Sequence, residues 1–227
     1  MPRADDARPL PASAAAFAAL TRLPGTTTAL VSGRALASLR AVATPPAGTL
    51  LVGSHGAEVW LGPDSAGLEL TAVQAQQLER ARACVADVTG RHPGTTAEHK
   101  PAGVVLHYRQ ASAEHGESAV RELLEALAGE PAVFITEGKM VLEISVVNAN
   151  KGESLAMLRD TTGATAVVFV GDDVTDEHAF KALRNGDVGI KVGDGATSAA
   201  FRIPSPDALP AVLELLLAAR TGAKTPE

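Results

Sequence analysis

A chain of 227 residues is long enough for one large domain or two small ones. Hydrophobic residues make up 46% and charged residues 20%, near the globular average, which excludes a disordered chain, a collagen and a disulfide scaffold. With 20 Lys and Arg against 26 Asp and Glu the net charge is -6, and aromatics are only 3%, so the sequence offers neither a basic nucleic-acid footprint nor a base-stacking platform.

Cys84 is the single cysteine, so no intrachain disulfide can form, which fits a reducing cytoplasm. It lies in a helical stretch and reads as a small half-buried hydrophobe. No apolar run approaches the ~20 residues of a membrane span. The Ala-rich N-terminus lacks the basic start and unbroken apolar core of a signal peptide. A cytoplasmic protein without membrane or nucleic-acid partners is expected.

In chain order, residues 11–23 predict a helix, with Pro11 suited to its first turn and Pro24-Gly25 ending it. Residues 27–31 form a short β-prone run that stops at Ser32-Gly33-Arg34, and a helix with Leu36, Leu39 and Ala43 follows. Residues 49–52 make another apolar strand, ending at Gly53-Ser54-His55-Gly56-Ala57-Glu58. The middle of the chain changes character. A helix over 71–89 has no strand directly before it, Glu98 and Lys100 precede Pro101 in an expected loop, and residues 104–109 alternate. A helix over 117–128 comes next, then strands over 132–136 and 140–145 joined across Glu137-Gly138-Lys139 as a hairpin. Strand–helix alternation then resumes: a helix from Lys151 to Asp160, a buried strand over 166–170, a strand over 188–192, and a final helix over 207–220. Short apolar strands alternating with helices predict a parallel sheet with helices on its faces, interrupted by a smaller α+β unit.

Ligands of open α/β sheets bind beyond the carboxyl ends of the strands. Three strands here end in small, polar or acidic residues, at Ser32, Gly53 and Gly171. In Gly171-Asp172-Asp173-Val174-Thr175-Asp176-Glu177, four acids fall within six residues. Carboxylates this close repel one another, and a divalent cation would resolve the conflict. Oxygen-only ligands favour Mg²⁺, with Asp172 directly after the strand as its ligand. Asp176 and Glu177 also suit the N-terminus of the next helix. Ser32-Gly33-Arg34 reads as a phosphate cradle at a helix start, or as an ordinary N-cap. Lys151 opens a helix and is either solvated or a point charge for phosphate. His107 and Glu143 lie on the polar faces of their strands, for which solvent is the default neighbour.

Together these segments resemble the trehalose-6-phosphate phosphatases of the haloacid dehalogenase superfamily. Gly171 to Phe180 is similar to their acidic signature, Val31-Ser32-Gly33-Arg34 to the superfamily's second motif and Lys151-Gly152 to its third. Residues 53–58, Glu98-x-Lys100, His107-Tyr108-Arg109 and Gly138-Lys139-x-Val141-x-Glu143 resemble further motifs of these phosphatases. The resemblance implies an α/β fold, a Rossmann-like parallel-sheet core over 1–62 and 148–227 with an α+β cap inserted over 63–147. It implies a monomer that hydrolyses trehalose 6-phosphate to trehalose and phosphate with Mg²⁺. Asp172 would hold the metal, supported by Asp173 and Asp176, while Ser32 and Lys151 would hold phosphoryl oxygens. Gly33, Arg34, Gly56, His107 and Lys139 would line the substrate, and His55, Glu98, Lys100 and Glu143 would meet sugar hydroxyls from the cap side.

One departure is large. These phosphatases begin with a buried strand ending in Asp-x-Asp-Gly-Thr, whose first Asp becomes the aspartyl-phosphate and whose second is the general acid/base. The 227 residues contain no such motif, and Asp5-Asp6 follows no apolar strand. Ser145 stands where many relatives carry a basic residue. The expectation is therefore an ordinary phosphatase whose sequence starts too late, inactive as it stands. A non-catalytic sugar-phosphate binder is the alternative, and a phosphatase of another sugar phosphate a third.

Overall fold

The computed structural model describes residues 8–222, so Asp5 and Asp6 lie outside the described residues. The chain forms two compact units, one from residues up to 66 and from 149 onward, the other from 67 to 148. The sequence places these boundaries at 62/63 and 147/148.

The first segment contains α1 (Pro11–Thr21), β1 (Ala29–Val31), α2 (Leu36–Ala43), β2 (Leu50–Gly53) and β3 (Glu58–Trp60). The second unit contains α3 (Ala72–Arg91), β4 (Thr96–Lys100), β5 (Gly103–His107), α4 (Ala113–Ala126), β6 (Phe134–Gly138) and β7 (Val141–Ser145). The return to the first unit adds α5 (Lys151–Thr162), β8 (Val168–Gly171), α6 (Asp176–Ala182), β9 (Val188–Val192), β10 (Phe201–Ile203) and α7 (Leu209–Thr221).

The first unit is α/β with parallel pairing, β1 beside β2 and the trio β10–β9–β8. It departs from a single parallel sheet in two ways. The pairing forms two three-stranded sheets, β1–β2–β3 and β10–β9–β8. In the first of them β3 runs antiparallel, because Gly53 pairs with Glu58 across a single helical turn at Ser54–Gly56, too short for a crossover. Among the described residues no strand pairs with the outer edge of β1 or of β8. The two halves are tied instead through helices. α1 packs on α7, where the Arg220 guanidinium donates to Thr26 Oγ1 at 3.2 Å and to the Gly25 carbonyl at 2.9 Å. The turn after β2 packs on α5.

A buried carboxylate fastens the β8–β9 side. Asp187 accepts N–H bonds from Arg184 at 2.7 Å and Val167 at 2.9 Å, and pairs with the buried Arg159 guanidinium of α5. Burial pushes its carboxyl up, but the two N–H groups and the guanidinium outweigh this and hold it below the ordinary carboxylate range.

In the second unit the sheet order is β4–β5–β7–β6, antiparallel throughout. The period-two alternation sends Val104, Leu106, Leu142 and Ile144 to one face. There they meet Ala81, Val85 and Val88 of α3 and Ala119 and Leu123 of α4. Thr71 and Gln74 start α3 with a reciprocal capping box. Glu98 and Lys100 lie on β4 rather than in a loop. The polar run Thr96–Lys100 has no apolar alternation of its own and becomes a strand by pairing with β5. The β6–β7 hairpin turns at Lys139-Met140, one step later than the sequence suggests, since Gly138 pairs with Val141 and Met140 takes a φ of 63°.

Replacing Asp187 with Ala leaves Arg159 buried without its counter-charge and should cost about 3–5 kcal/mol in urea unfolding. A carboxyl held below its unfolded value contributes stability that is full at neutral pH and is lost as pH falls through its folded value. The acid limb of the parent's stability curve should therefore be steeper than that of Asp187→Ala.

Candidate active site

The end of β1 is built by its neighbours. Ser32 N–H donates to the Val52 carbonyl at 2.9 Å, and the Ser32 carbonyl accepts from His55 N–H at 3.0 Å. Ser32 Oγ accepts from Arg34 N–H at 3.1 Å, a local turn rather than a helix cap, since α2 starts only at Leu36. Arg34 donates to Ser38 Oγ at 3.2 Å, and its carbonyl accepts from Ser54 N–H at 2.7 Å. Glu58, buried at the start of β3, accepts from Ser54 Oγ at 2.5 Å and from Leu36 N–H at 3.3 Å, at the start of α2. Gly33 is needed for close approach: a Cβ there would stand 2.4 Å from His55 Nε2. His55 itself is held at a φ of 58°. It thus belongs to the first unit, beside Gly33. Gly56 backs onto Asn150 and Ser154 at the first turn of α5, so the loop after β2 and Lys151 share one helix start.

The acidic loop after β8 resolves its own repulsion. Asp176 is only 4% exposed and turns inward. Its Oδ1 accepts from Lys151 Nζ at 2.6 Å and its Oδ2 from Asp173 N–H at 2.8 Å. Lys151 is buried too, presented by a helix whose cap, Asn150 Oδ1, accepts from Gly152 N–H at 2.9 Å and Glu153 N–H at 3.0 Å. Only glycine fits at 171, where a Cβ would lie 2.4 Å from Asp176 Cγ. Asp173 is exposed and accepts from Val174 N–H at 2.7 Å and Thr175 Oγ1 at 3.2 Å. An ammonium and backbone N–H groups thus absorb part of the conflict among the four acids.

Among the described residues no group of three or more His, Cys, Asp or Glu converges on one point. Mg²⁺ asks for less, typically one or two carboxylates with phosphate oxygens and water. Asp172, exposed directly beyond β8 with its side chain outside the Asp176–Lys151 pair, suits that limited demand.

In the second unit the register brings Glu98, Lys100, His107, Glu143 and Ser145 to the sheet face opposite the core. His107 Nε2 lies 2.8 Å from Glu98 Oε2, and this hydrogen bond is the main reason the Glu98 carboxyl sits below its usual range. Lys100, buried, donates to Glu143 Oε1 at 2.8 Å. Lys139 stays exposed in the hairpin turn, apart from these pairs, with its carbonyl 3.2 Å from Arg109 Nη2. The face is thus a row of paired charges rather than plain solvent surface. Lys191 carries no motif that marks it in the sequence. It is buried on β9, and its Nζ donates to the Asp172 carbonyl at 2.6 Å. A lysine inside the apolar run Val188–Val192 was the available signal, since a buried ammonium must find partners.

The trehalose-phosphatase family model matches residues 1–206 of the chain. A trehalose-phosphate phosphatase of Mycobacterium avium (strain 104) is 37% identical over 221 residues, covering 89% of this chain and 54% of the relative. A trehalose-6-phosphate phosphatase of Escherichia coli (strain K12) is 35% identical over 190 residues, covering 77% of this chain and 65% of the relative. The chain spans about half the length of the mycobacterial relatives it matches. Among solved structures, the C-terminal domain of a C. albicans trehalose-6-phosphate phosphatase superposes with a TM-score of 0.79 at 21% identity, covering 96% of this chain and 88% of that one. By the family model and these relatives, the chain is a member of the trehalose-phosphatase family.

Proposed function

We propose that the chain carries the sugar-phosphate-recognising framework of a trehalose-6-phosphate phosphatase, an enzyme that releases phosphate from trehalose 6-phosphate in trehalose biosynthesis. The observation that carries this reading is the division of chemistry between the units. The first unit gathers a hydroxyl, a buried ammonium and an exposed carboxylate at its strand ends. The second unit presents Glu98, Lys100, His107 and Glu143 on one sheet face. Carboxylates and ammonium groups held in pairs suit the multiple hydroxyls of a disaccharide, because each can accept or donate at fixed geometry.

In the first unit, the Ser32 hydroxyl, which accepts from Arg34 N–H and keeps its own proton to donate, suits a phosphoryl oxygen. Lys151 Nζ has three protons and spends one on Asp176, which leaves donors for a phosphate. Asp176 keeps that ammonium fixed, and Asp173 N–H keeps Asp176 fixed. Asp172 would hold Mg²⁺, with Asp173 nearby; the ion would offset the negative charge of the phosphoryl group. Gly56 and Arg34 shape the wall beside Ser32, and Lys139 supplies a charge at the tip of the hairpin. A cytoplasmic monomer is the state this reading carries. Among the described residues no helix is long and apolar enough to cross a membrane.

Hydrolysis itself needs more than these residues hold. Phosphate-monoester hydrolysis requires accelerations up to ~10²¹, and the sequence has no Asp-x-Asp-Gly-Thr to supply the nucleophile and the acid. The alternative of a sugar-phosphate binder without turnover rests on that observation. A phosphatase acting on another sugar phosphate is the third reading; Glu98-x-Lys100 and Gly138-Lys139-x-Val141-x-Glu143 resemble motifs of the trehalose phosphatases and favour trehalose.

Calorimetry of the 227-residue chain should register trehalose 6-phosphate in preference to glucose 6-phosphate, while phosphate release with Mg²⁺ stays at the buffer rate. Tighter binding of glucose 6-phosphate would refute the sugar assignment, and Mg²⁺-dependent turnover would refute the view that a nucleophile is lacking. Adding at the N-terminus an apolar strand that ends in Asp-x-Asp-Gly-Thr should produce Mg²⁺-dependent turnover, and changing the first Asp of that motif to Asn should abolish it.

Glu98→Gln should weaken trehalose 6-phosphate about tenfold, the scale of one charge-assisted hydrogen bond. Because His107 holds the Glu98 carboxyl below its usual range, this contribution should persist as pH falls into the ordinary carboxylate range. In His107→Gln it should be lost at a higher pH, which NMR titration of the Glu98 carboxyl would follow.

A further inference from the structure

We infer that Lys191 is the positioning residue of the acidic loop, fixing the backbone from which Asp172 and Asp173 project. Lys191 is 5% exposed in a strand whose other residues are apolar or Gly. Lysine is almost never buried without a partner, because its charge must stay solvated. Among the described residues no carboxylate forms an ion pair with it. Its ammonium instead donates to two consecutive main-chain carbonyls, Asp172 at 2.6 Å and Asp173 at 3.4 Å.

The register explains the reach. Lys191 pairs with Gly171, the last residue of β8, so its side chain stands where the sheet's own hydrogen bonding stops. The next two carbonyls of the chain have left the β8–β9 ladder, and the ammonium takes the place of the missing strand donors. Holding those carbonyls fixes two peptide planes. One of them carries the Asp173 N–H that donates to Asp176 at 2.8 Å, and the Asp173 carbonyl also accepts the Asp176 N–H at 3.3 Å. The loop is therefore clamped from below by Lys191 and from the side by Asp176, with Asp172 left exposed at its start. Against the upward push of burial, the Ser198 N–H and the Thr197 hydroxyl hold the Glu177 carboxyl below its ordinary range, and the Lys191 charge adds a smaller contribution.

These two effects on a cation at Asp172 have opposite signs. A nearby ammonium repels the cation, whereas a fixed loop presents the carboxylate without an ordering cost. The inference is that the second effect dominates. This part rests on the reading of Asp172 as the metal-holding residue; the clamp itself does not.

The experiment uses the full chain and the variants Lys191→Met, Lys191→Arg and Lys191→Gln. Amide hydrogen exchange without metal reads the clamp, and calorimetry with Mg²⁺ alone reads its consequence. In Lys191→Met, exchange at Asp173 and Asp176 should accelerate at least tenfold while α3 and β5 are unchanged, and Mg²⁺ should bind at least fivefold more weakly. Lys191→Arg should restore most of both. Unchanged exchange in Lys191→Met would overturn the inference, and so would tighter Mg²⁺ binding, the signature of charge alone. If Lys191→Met does not fold, Lys191→Gln decides, because it keeps a donor without the charge and should retain part of the loop's protection; complete loss of that protection would count against donation. If the parent takes up no Mg²⁺, the metal reading of Asp172 fails, and hydrogen exchange still decides the role of Lys191.

Discussion

The buried pair between Lys151 and Asp176 is the contact on which the arrangement of the first unit's acidic loop depends. The two side chains meet at 2.6 Å with 7% and 5% of their surfaces exposed. Neither charge can stay in that environment without the other, because a buried ion loses several kcal/mol of hydration. The pair joins the first turn of α5 to the first turn of α6, and so decides how those helices start relative to β8. Asp176 uses its second oxygen on Asp173 N–H, and glycine at 171 clears the space in which it turns inward. Asn150 holds the other end, capping the helix that presents Lys151. In a loop rich in like charge, one carboxylate is thereby turned inward and paired, while Asp172 and Asp173 stay exposed.

The second unit solves a similar problem differently. Its sheet buries one face in α3 and α4 and places charged residues on the other. Lys100 is buried on that face and is matched by Glu143, while the more exposed Glu98 is matched by His107. Register does this work. Glu98 and Glu143 both lie opposite Val105, so one row across three strands carries two carboxylates, and the cationic partners occupy the rows beside it. A slip of one residue would turn the whole set into the apolar core.

Much of this organisation could be read from residue order. The helix at Lys151, the strand over 188–192, the hairpin before Ser145 and the amphipathic helices of the inserted unit follow from local periodicity and turn residues. What escaped has a common cause. β4 is too polar to announce itself, and β3 and β10 are three-residue strands that exist through pairing. The two-sheet arrangement depends on which strands find neighbours. At the site, the acidic run was legible, but the direction of each carboxylate was not: Asp176 faces Lys151 across 25 residues of chain, and Lys191 reaches Asp172 across 19. The close approach of His55 to Gly33 is likewise invisible in the sequence.

By itself the amino-acid sequence determined the α/β class, the interruption by a smaller unit and the family. These are properties of local pattern, motif and spacing, and they survive without coordinates. Only the tertiary structure decided which charges are spent on each other and which remain available. That choice depends on burial and on distances between residues far apart in the chain. Lys151 with Asp176, Lys100 with Glu143, and Lys191 on the Asp172 carbonyl are pairings that no stretch of sequence contains.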